Sequence, residues 1–319
     1  MTTSGSTNFT QTRNELINDA FQVIGVYGVG RTISAEDLNF AASTLNKMIK
    51  SWATKGLHLW TKEENVLFVT KDQSNYTLGS TANACAASDA VITQLNGALA
   101  ASATAITVDS TTGMTVGDFI GIVLTSGAVH YTTIATLPTS TTLTLTSGVS
   151  AAASDDAIVY TYTTKIVKPL RILSCRRAQG IDSGATTTLS EIEMASIPYQ
   201  DYMNLPSKSS SGVPNQFSYM PGNTTGVLYL WQRPNSGIYR INFTSERIIE
   251  DLDNAGDNFD FPSEWLEPLT WQLAMRLCPA FGKDKRMISS IAPVASMMLE
   301  NLLDWDSEVT SVFIQPDQD

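Results

Sequence analysis

The chain has 319 residues, of which 43% are apolar and 16% charged, and its formal net charge is −11. This bounds it to one large domain or two to three smaller ones with enough apolar material for a core, and it excludes a disordered chain. With 31 acidic residues against 20 basic ones, the balance has the wrong sign for a broad grip on a phosphate backbone. It suits plain solubility, or an acidic wall that DNA slides past.

Few charges mean a surface rich in Ser, Thr, Asn and Gln, which suits proteins packed against other subunits. The three cysteines, Cys85, Cys175 and Cys278, are scattered and fit free thiols from a reducing compartment. His58 and His130 are too few and too far apart to suggest zinc. No apolar run approaches the roughly 18–20 residues of a membrane span. Met1–Asn8 lacks the basic-then-apolar pattern of a signal peptide.

In chain order, Arg13 to Gly25 carries Leu16, Ile17, Ala20, Phe21 and Ile24 on one helical face, and Gly25 closes it. Gly25, Gly28 and Gly30 do not make a dinucleotide loop, because a helix rather than a strand precedes them, and no Walker lysine follows. Ser34, three residues before Asp37, reads as a capping box. Leu38, Ala41, Ala42, Leu45, Met48, Ile49 and Trp52 then repeat at helical spacing. Lys47, Lys50 and Lys55 favour the C-terminal end, and Gly56 stops the helix. The two segments read as an antiparallel helical hairpin. Leu59–Val69 and Tyr76–Leu78 read as strands of a small sheet beside it.

From Ser80 to Thr164 there is no Lys, Arg or Glu. Strand-like runs at Ala105–Asp109, Asp118–Leu124, Val129–Ile134, Thr142–Thr146 and Ala157–Tyr162 alternate with glycine turns. The abrupt change in composition marks an inserted all-β module, with one larger core sheet as the alternative. Lys165–Ala178 returns to core-like strand sequence and holds a basic patch of Arg171, Arg176 and Arg177. Those arginines suit carboxylate pairing at a subunit contact, or a phosphate.

After a Ser-rich loop at Pro206–Pro214, the runs Gln216–Met220, Val227–Gln232 and Ile238–Ile249 read as three antiparallel strands. The acidic loop Asp251–Asp260 lacks the ligand order of an EF-hand. Pro262 opens a helix with Leu266, Leu269, Leu273 and Leu277 on one face, and Trp265 and Trp271 beside them. A last helix covers Asp284–Leu303, which Pro293 is expected to kink or divide. In the tail, Val309–Ile314 is either an add-on strand or a frayed end.

The chemistry of an enzyme is hard to assemble from these residues. Glu63, Glu64, Glu191 and Glu193 sit as sequence neighbours of the kind found on solvated strand faces, and neither histidine lies in a Ser-Gly motif. No catalytic, metal or cofactor residue is assigned.

The pattern NELINDAFQVIGVYGVGRTISAEDLNFAASTLNKMIKSWATKGLHLW, followed by FVTKDQSNYTLG, resembles the head-to-tail adaptor proteins of short-tailed bacteriophages. These are also called tail accessory factors or head-completion proteins. The shared features are the start at Ser34–Asp37, Trp52, Gly56 and the turn at Gln73–Gly79, over the first quarter of the chain. FPSEWLEPLTWQLAMRLCPAFG is a looser counterpart of the family's later helix. The resemblance implies a ring of identical subunits, typically twelve, made in the host cytoplasm and docked in the virion beneath the portal ring. It also implies a channel for double-stranded DNA without sequence-specific binding, and a platform for tail nozzle, fibre or needle proteins.

The resulting expectation is an α+β fold with a helical-hairpin, helix-bundle core, an antiparallel sheet and an inserted all-β module. Its expected divisions are 1–79, 80–164, 165–303 and 304–319. The apolar side chains Leu16, Phe21, Leu45, Trp52, Trp265, Trp271, Trp305, Val312, Phe313 and Ile314 are candidates for contact with sister subunits or the portal. Arg171, Arg176 and Arg177 form the candidate ion-pair or phosphate patch. The competing readings are a receptor- or glycan-binding tail protein that uses the module, and a cell-wall-degrading tail enzyme.

Overall fold

The computed structural model describes residues 5–6, 9–53, 59–80, 86–87, 89–179 and 190–305. In chain order these form α1 (Arg13–Val23), α2 (Ala35–Ala53), β1 (Lys62–Phe68), β2 (Asn75–Leu78), β3 (Ala86–Ala87), β4 (Val91–Gln94), β5 (Ala105–Thr107), β6 (Phe119–Val123), β7 (Val129–Thr136), β8 (Thr142–Leu145) and β9 (Ile158–Tyr162). Then come β10 (Arg171–Gln179), β11 (Ser190–Ser196), α3 (Tyr199–Asn204), β12 (Ser211–Gly212), β13 (Gln216–Pro221), β14 (Gly226–Trp231), β15 (Arg233–Pro234), β16 (Tyr239–Glu246), α4 (Leu266–Leu277) and α5 (Lys285–Trp305).

The expected helical-hairpin bundle core is corrected by this structure. The protein is mostly β, with two curled sheets and only 27% helix. Long amphipathic helices at both ends of the chain dominate any periodicity reading. The greater length between them is spent on short strands rich in Thr, Val and Ile, whose branched side chains fit a pleated surface. The chain divides into two compact units, Met1–Thr61 with Ile249–Asp319, and Lys62–Ile248.

In the first unit α4 is the hub and packs on α1, α2 and α5. Its core holds Leu16, Ile17, Phe21, Leu45, Trp52 and Trp265, with Leu269, Leu273 and Leu277 from one face of α4. Aromatic rings fill the space between helices: Trp265 meets Trp60 at 4.6 Å and Trp52 at 5.9 Å between centroids, and Phe21 meets Phe281 edge-on at 5.0 Å. Helix starts are chemically marked. Thr12 and Glu15 form a reciprocal capping box on α1. The Asp37 amide donates to Ser34 Oγ at 3.1 Å before α2. Pro293 lies exposed inside α5, which runs through it undivided. The expected helix stop at Gly56, with Lys55 before it, lies outside the described residues.

The second unit holds both large sheets. The eight-stranded sheet runs β2-β14-β13-β11-β10-β16-β1-β3. Its pairings are antiparallel except for β11 with β13. Leu67, Tyr76, Cys175, Phe217, Leu228, Ile241 and Phe243 make its core. The run Ile238–Ile249 was expected to continue the β13–β14 hairpin. Instead β16 inserts at the middle of the sheet between β10 and β1. Alternation shows which face a strand buries, and nothing local to β16 specifies its neighbours.

The six-stranded sheet runs β4-β9-β6-β7-β8-β5. A bridge between Leu95 and Val108, flanked by hydrogen bonds from the Asn96 amide to the Thr107 carbonyl and from the Asp109 amide to the Gln94 carbonyl, ties its two ends together. The sheet thus curls back on itself around Ile106, Ile120, Ile122, Ile134, Leu143, Leu145 and Val159. Closure removes the free edges that a neutral, Thr-rich sheet would otherwise offer to other chains. Phe68 of β1 stacks on Tyr160 of β9 with centroids 3.4 Å apart and planes 7° from parallel. With Tyr162, these rings form a small core of their own that joins the two sheets.

Candidate interaction surfaces

The apolar residues singled out as contact candidates differ in exposure. Leu16, Phe21, Leu45, Trp52 and Trp265 are buried by the helical unit's own packing. Trp271 is half-buried against the same core. Among the candidates within the described residues, only Trp305 at the end of α5 is exposed, at 65%. Val312, Phe313 and Ile314 lie outside the described residues. Exposed apolar side chains outside that candidate set include Phe40 of α2 and Met297 of α5. Their apolar character is legible in sequence. Their exposure is not, because a helix with two apolar stripes does not say which one its own fold covers.

Arg171 and Arg176 belong to a polar strip across β11, β10, β16 and β1. Glu246 is buried, and both its oxygens accept from Arg171, from Nε and Nη2 at 2.7 Å each. The glutamate's hydrogen bond raises the Arg171 guanidinium above its ordinary pKa. Arg176 bridges two carboxylates: it donates to Glu64 and has its Nε 3.3 Å from Glu191. Thr244 donates its hydroxyl to Glu64, and Asn242 its amide to Glu191. Arg247 pairs with Glu63 at 3.0 Å. Arg177 differs from its neighbours, since it reaches the Pro214 carbonyl at 3.1 Å.

The carboxylates that engage Arg171 and Arg176 thus come from the same chain. The strip's cohesion comes from cross-strand charge pairs. The bidentate Arg171–Glu246 pair has the better geometry, and the more exposed Arg176 pairs are worth little individually. Sequence inspection found the arginines but not their partners. Arg171 and Glu246 are 75 residues apart, and Arg176 and Glu64 are 112 apart.

Two clefts among the described residues are large enough to consider. One, of about 320 Å³, lies between α2 and the 250–261 segment and is lined by Asp251, Asp257, Asp260, Phe259 and Phe261. Its three aspartates are engaged: Lys50 pairs with Asp251 at 2.8 Å, Asp257 accepts from the Asn254 amide at 2.6 Å, and Asp260 accepts from the Glu250 amide at 3.4 Å. The other, of about 410 Å³, opens where β11 parts from β10. Among the described residues no group of three or more His, Cys, Asp or Glu is arranged to hold a metal ion. Burial pushes the Cys175 and Cys278 thiols up from their ordinary values, so neither is primed as a nucleophile. Among the described residues no helix is long and apolar enough to cross a membrane.

A family model described as SU10 adaptor protein matches residues 88–304. No curated protein matches the chain. The matched stretch begins beyond the N-terminal hairpin pattern. It takes in the six-stranded sheet, most of the eight-stranded sheet, α4 and α5 up to Asp304. More than half of the sequence is covered, and the two sheets and the later helices are matched as one continuous block. The chain belongs to the SU10 adaptor protein family, a family of phage adaptors.

Proposed function

We propose that the protein is a structural component of the virion that forms a dodecameric ring between the portal and the tail. The observation that carries this reading is the family match, which extends from the β-rich unit into the helical one. The ring would extend the DNA channel below the portal and offer tail nozzle, fibre or needle proteins a surface to attach to. It would assemble from chains made in the host cytoplasm. Its subunit and portal contacts would bury exposed apolar side chains, with Trp305, Met297 and Phe40 as the helical unit's contribution. Such burial is worth about 25 cal/mol per Å² before the entropic cost of association. The acidic surplus suits a conduit, because a wall of net negative sign lets DNA pass without holding it.

The test mixes the purified chain with its portal ring and images the product by negative-stain microscopy. Rings of added density on one face of the portal are the expected result. A chain that stays monomeric beside a well-formed portal at micromolar concentration overturns the proposal. A monomer in isolation does not, since a ring can need its template.

A further inference from the structure

The eight-stranded sheet forks between two of its strands. β11 pairs with β10 from Ser190 opposite Gln179 to Met194 opposite Cys175. It then leaves, and Ala195 and Ser196 pair with Gln216 and Phe217 of β13. The first half of β10, Arg171 to Ser174, keeps β16 on one flank and has no β11 pairing on the other. The cleft of about 410 Å³ occupies this fork. Met194 and Phe217, both almost fully buried, form its floor. Leu173 and Ala195 stand on opposite walls, and Glu193 sits at the rim. The register of β10 on β16 shifts between Ile172 and Ser174, so Leu173 is the extra residue of a bulge, and its side chain is 38% exposed.

The charges around the fork are uneven. Glu63, Glu64, Glu191 and Glu246, the other glutamates on strands of this sheet, are each paired to an arginine. Glu193 has no ion-pair partner among the described residues. A forked pair of strands with an apolar floor and one unspent carboxylate has the chemistry of a strand-accepting groove. Diverging strands offer main-chain groups to an extended chain, the floor takes its apolar side chain, and the rim selects its charge.

We infer that this cleft seats an extended segment of a partner protein, one that carries an apolar residue flanked by Lys or Arg. Glu193 is the one charged side chain lining the cleft, so the flanking charge that complements it is positive.

The test uses the full-length protein with its methionine methyl groups labelled with carbon-13. The Met194 resonance is assigned from a Met194→Leu variant. The probe is the peptide acetyl-Thr-Lys-Leu-Lys-Thr-amide, with the glutamate-for-lysine version as control. The Met194 signal is expected to move with the basic peptide at millimolar concentration and to stay in place with the acidic one. Leu173→Asp is expected to weaken binding about tenfold or more, because the apolar contact is lost. Glu193→Lys is expected to weaken it about two- to fivefold and to abolish the preference for basic peptide. Both side chains lie at the surface, so the thermal melts of these variants should match the wild type. If either melt moves, Glu193→Gln with the same two peptides gives the charge comparison in its place.

The inference is overturned if Met194 does not respond, if both peptides move it equally, or if it moves with protein concentration alone. That last result would mean that a second copy fills the cleft. None of these readouts depends on ring formation, so this inference and the ring reading can fail separately.

Discussion

Gly121 shows how closely single residues are fitted where the two sheets meet. A Cβ at this position would run into the Tyr160 ring. That ring has no room to retreat, since its other neighbour is the parallel face of Phe68 at 3.4 Å and its hydroxyl donates to Tyr131 at 3.0 Å. Gly121→Ala should therefore cost about 1–3 kcal/mol through overpacking. A thermal melt of the variant checks this, and an unchanged midpoint would mean that the stack is loose. At this scale sequence reading succeeded where the chemistry is local. Ser34 and Asp37 are three residues apart, and their cap is present. The Thr12–Glu15 box has the same spacing and is legible in the same way. Reading failed where chemistry spans the fold. The partners of Arg171 and Arg176 lie on strands far away in sequence, and no local pattern encodes a long-range register.

Whole elements follow the same division. Five strand-like runs in the Thr-rich stretch match β5 to β9 within a few residues, because alternating burial leaves a period of two in the sequence. β4, β11 and α3 were missed. β11 buries only Met194 along its length, so it has no alternation to read. Pro293 was expected to kink or divide the last helix, and α5 is not divided there. Ile291, Ala295 and Leu302 are buried on the core-facing side, while Pro293 points outward. The helix thus continues although Pro293 supplies no amide for the carbonyl one turn earlier. Pro293→Ala restores that donor and removes the ring, and nothing buried is displaced. It should stabilise the helical unit by about 1–3 kcal/mol. Far-UV circular dichroism melts should show a higher midpoint. A lower one would mean that the proline sets a bend the packing requires.

At the scale of the whole molecule, the two units should differ in their response to pH. Three carboxylates held below their usual values all belong to the helical unit. For Glu15 the cause is hydrogen bonding from the Thr12 amide and then its hydroxyl. For Asp37 it is the Tyr27 hydroxyl at 2.5 Å, then Ser34. For Asp257 it is chiefly the Asn254 amide. A depressed folded pKa stabilises the fold above the unfolded value, here the usual 3.8 for Asp and 4.5 for Glu, and the benefit is lost as pH falls through the lower folded value.

Tyrosines in the β-rich unit have the opposite sign. Burial pushes Tyr219 up to about 12, and burial followed by Tyr199 raises Tyr229. Their contribution is complete below the ordinary tyrosine value of 10.0 and is lost as pH rises from there through the folded value. Cys278 adds one group of that kind to the helical unit, so the acid arm separates the units more cleanly. Five tryptophans, Trp52, Trp60, Trp265, Trp271 and Trp305, lie in the helical unit, and Trp231→Phe removes the remaining one. In that variant, tryptophan emission should change at a higher pH on acidification than hydrogen-exchange protection in β10, β16 and β1 is lost. Simultaneous loss of both signals would show that acid unfolds the protein as one cooperative body and that the three local carboxylate contacts do not set its acid limit.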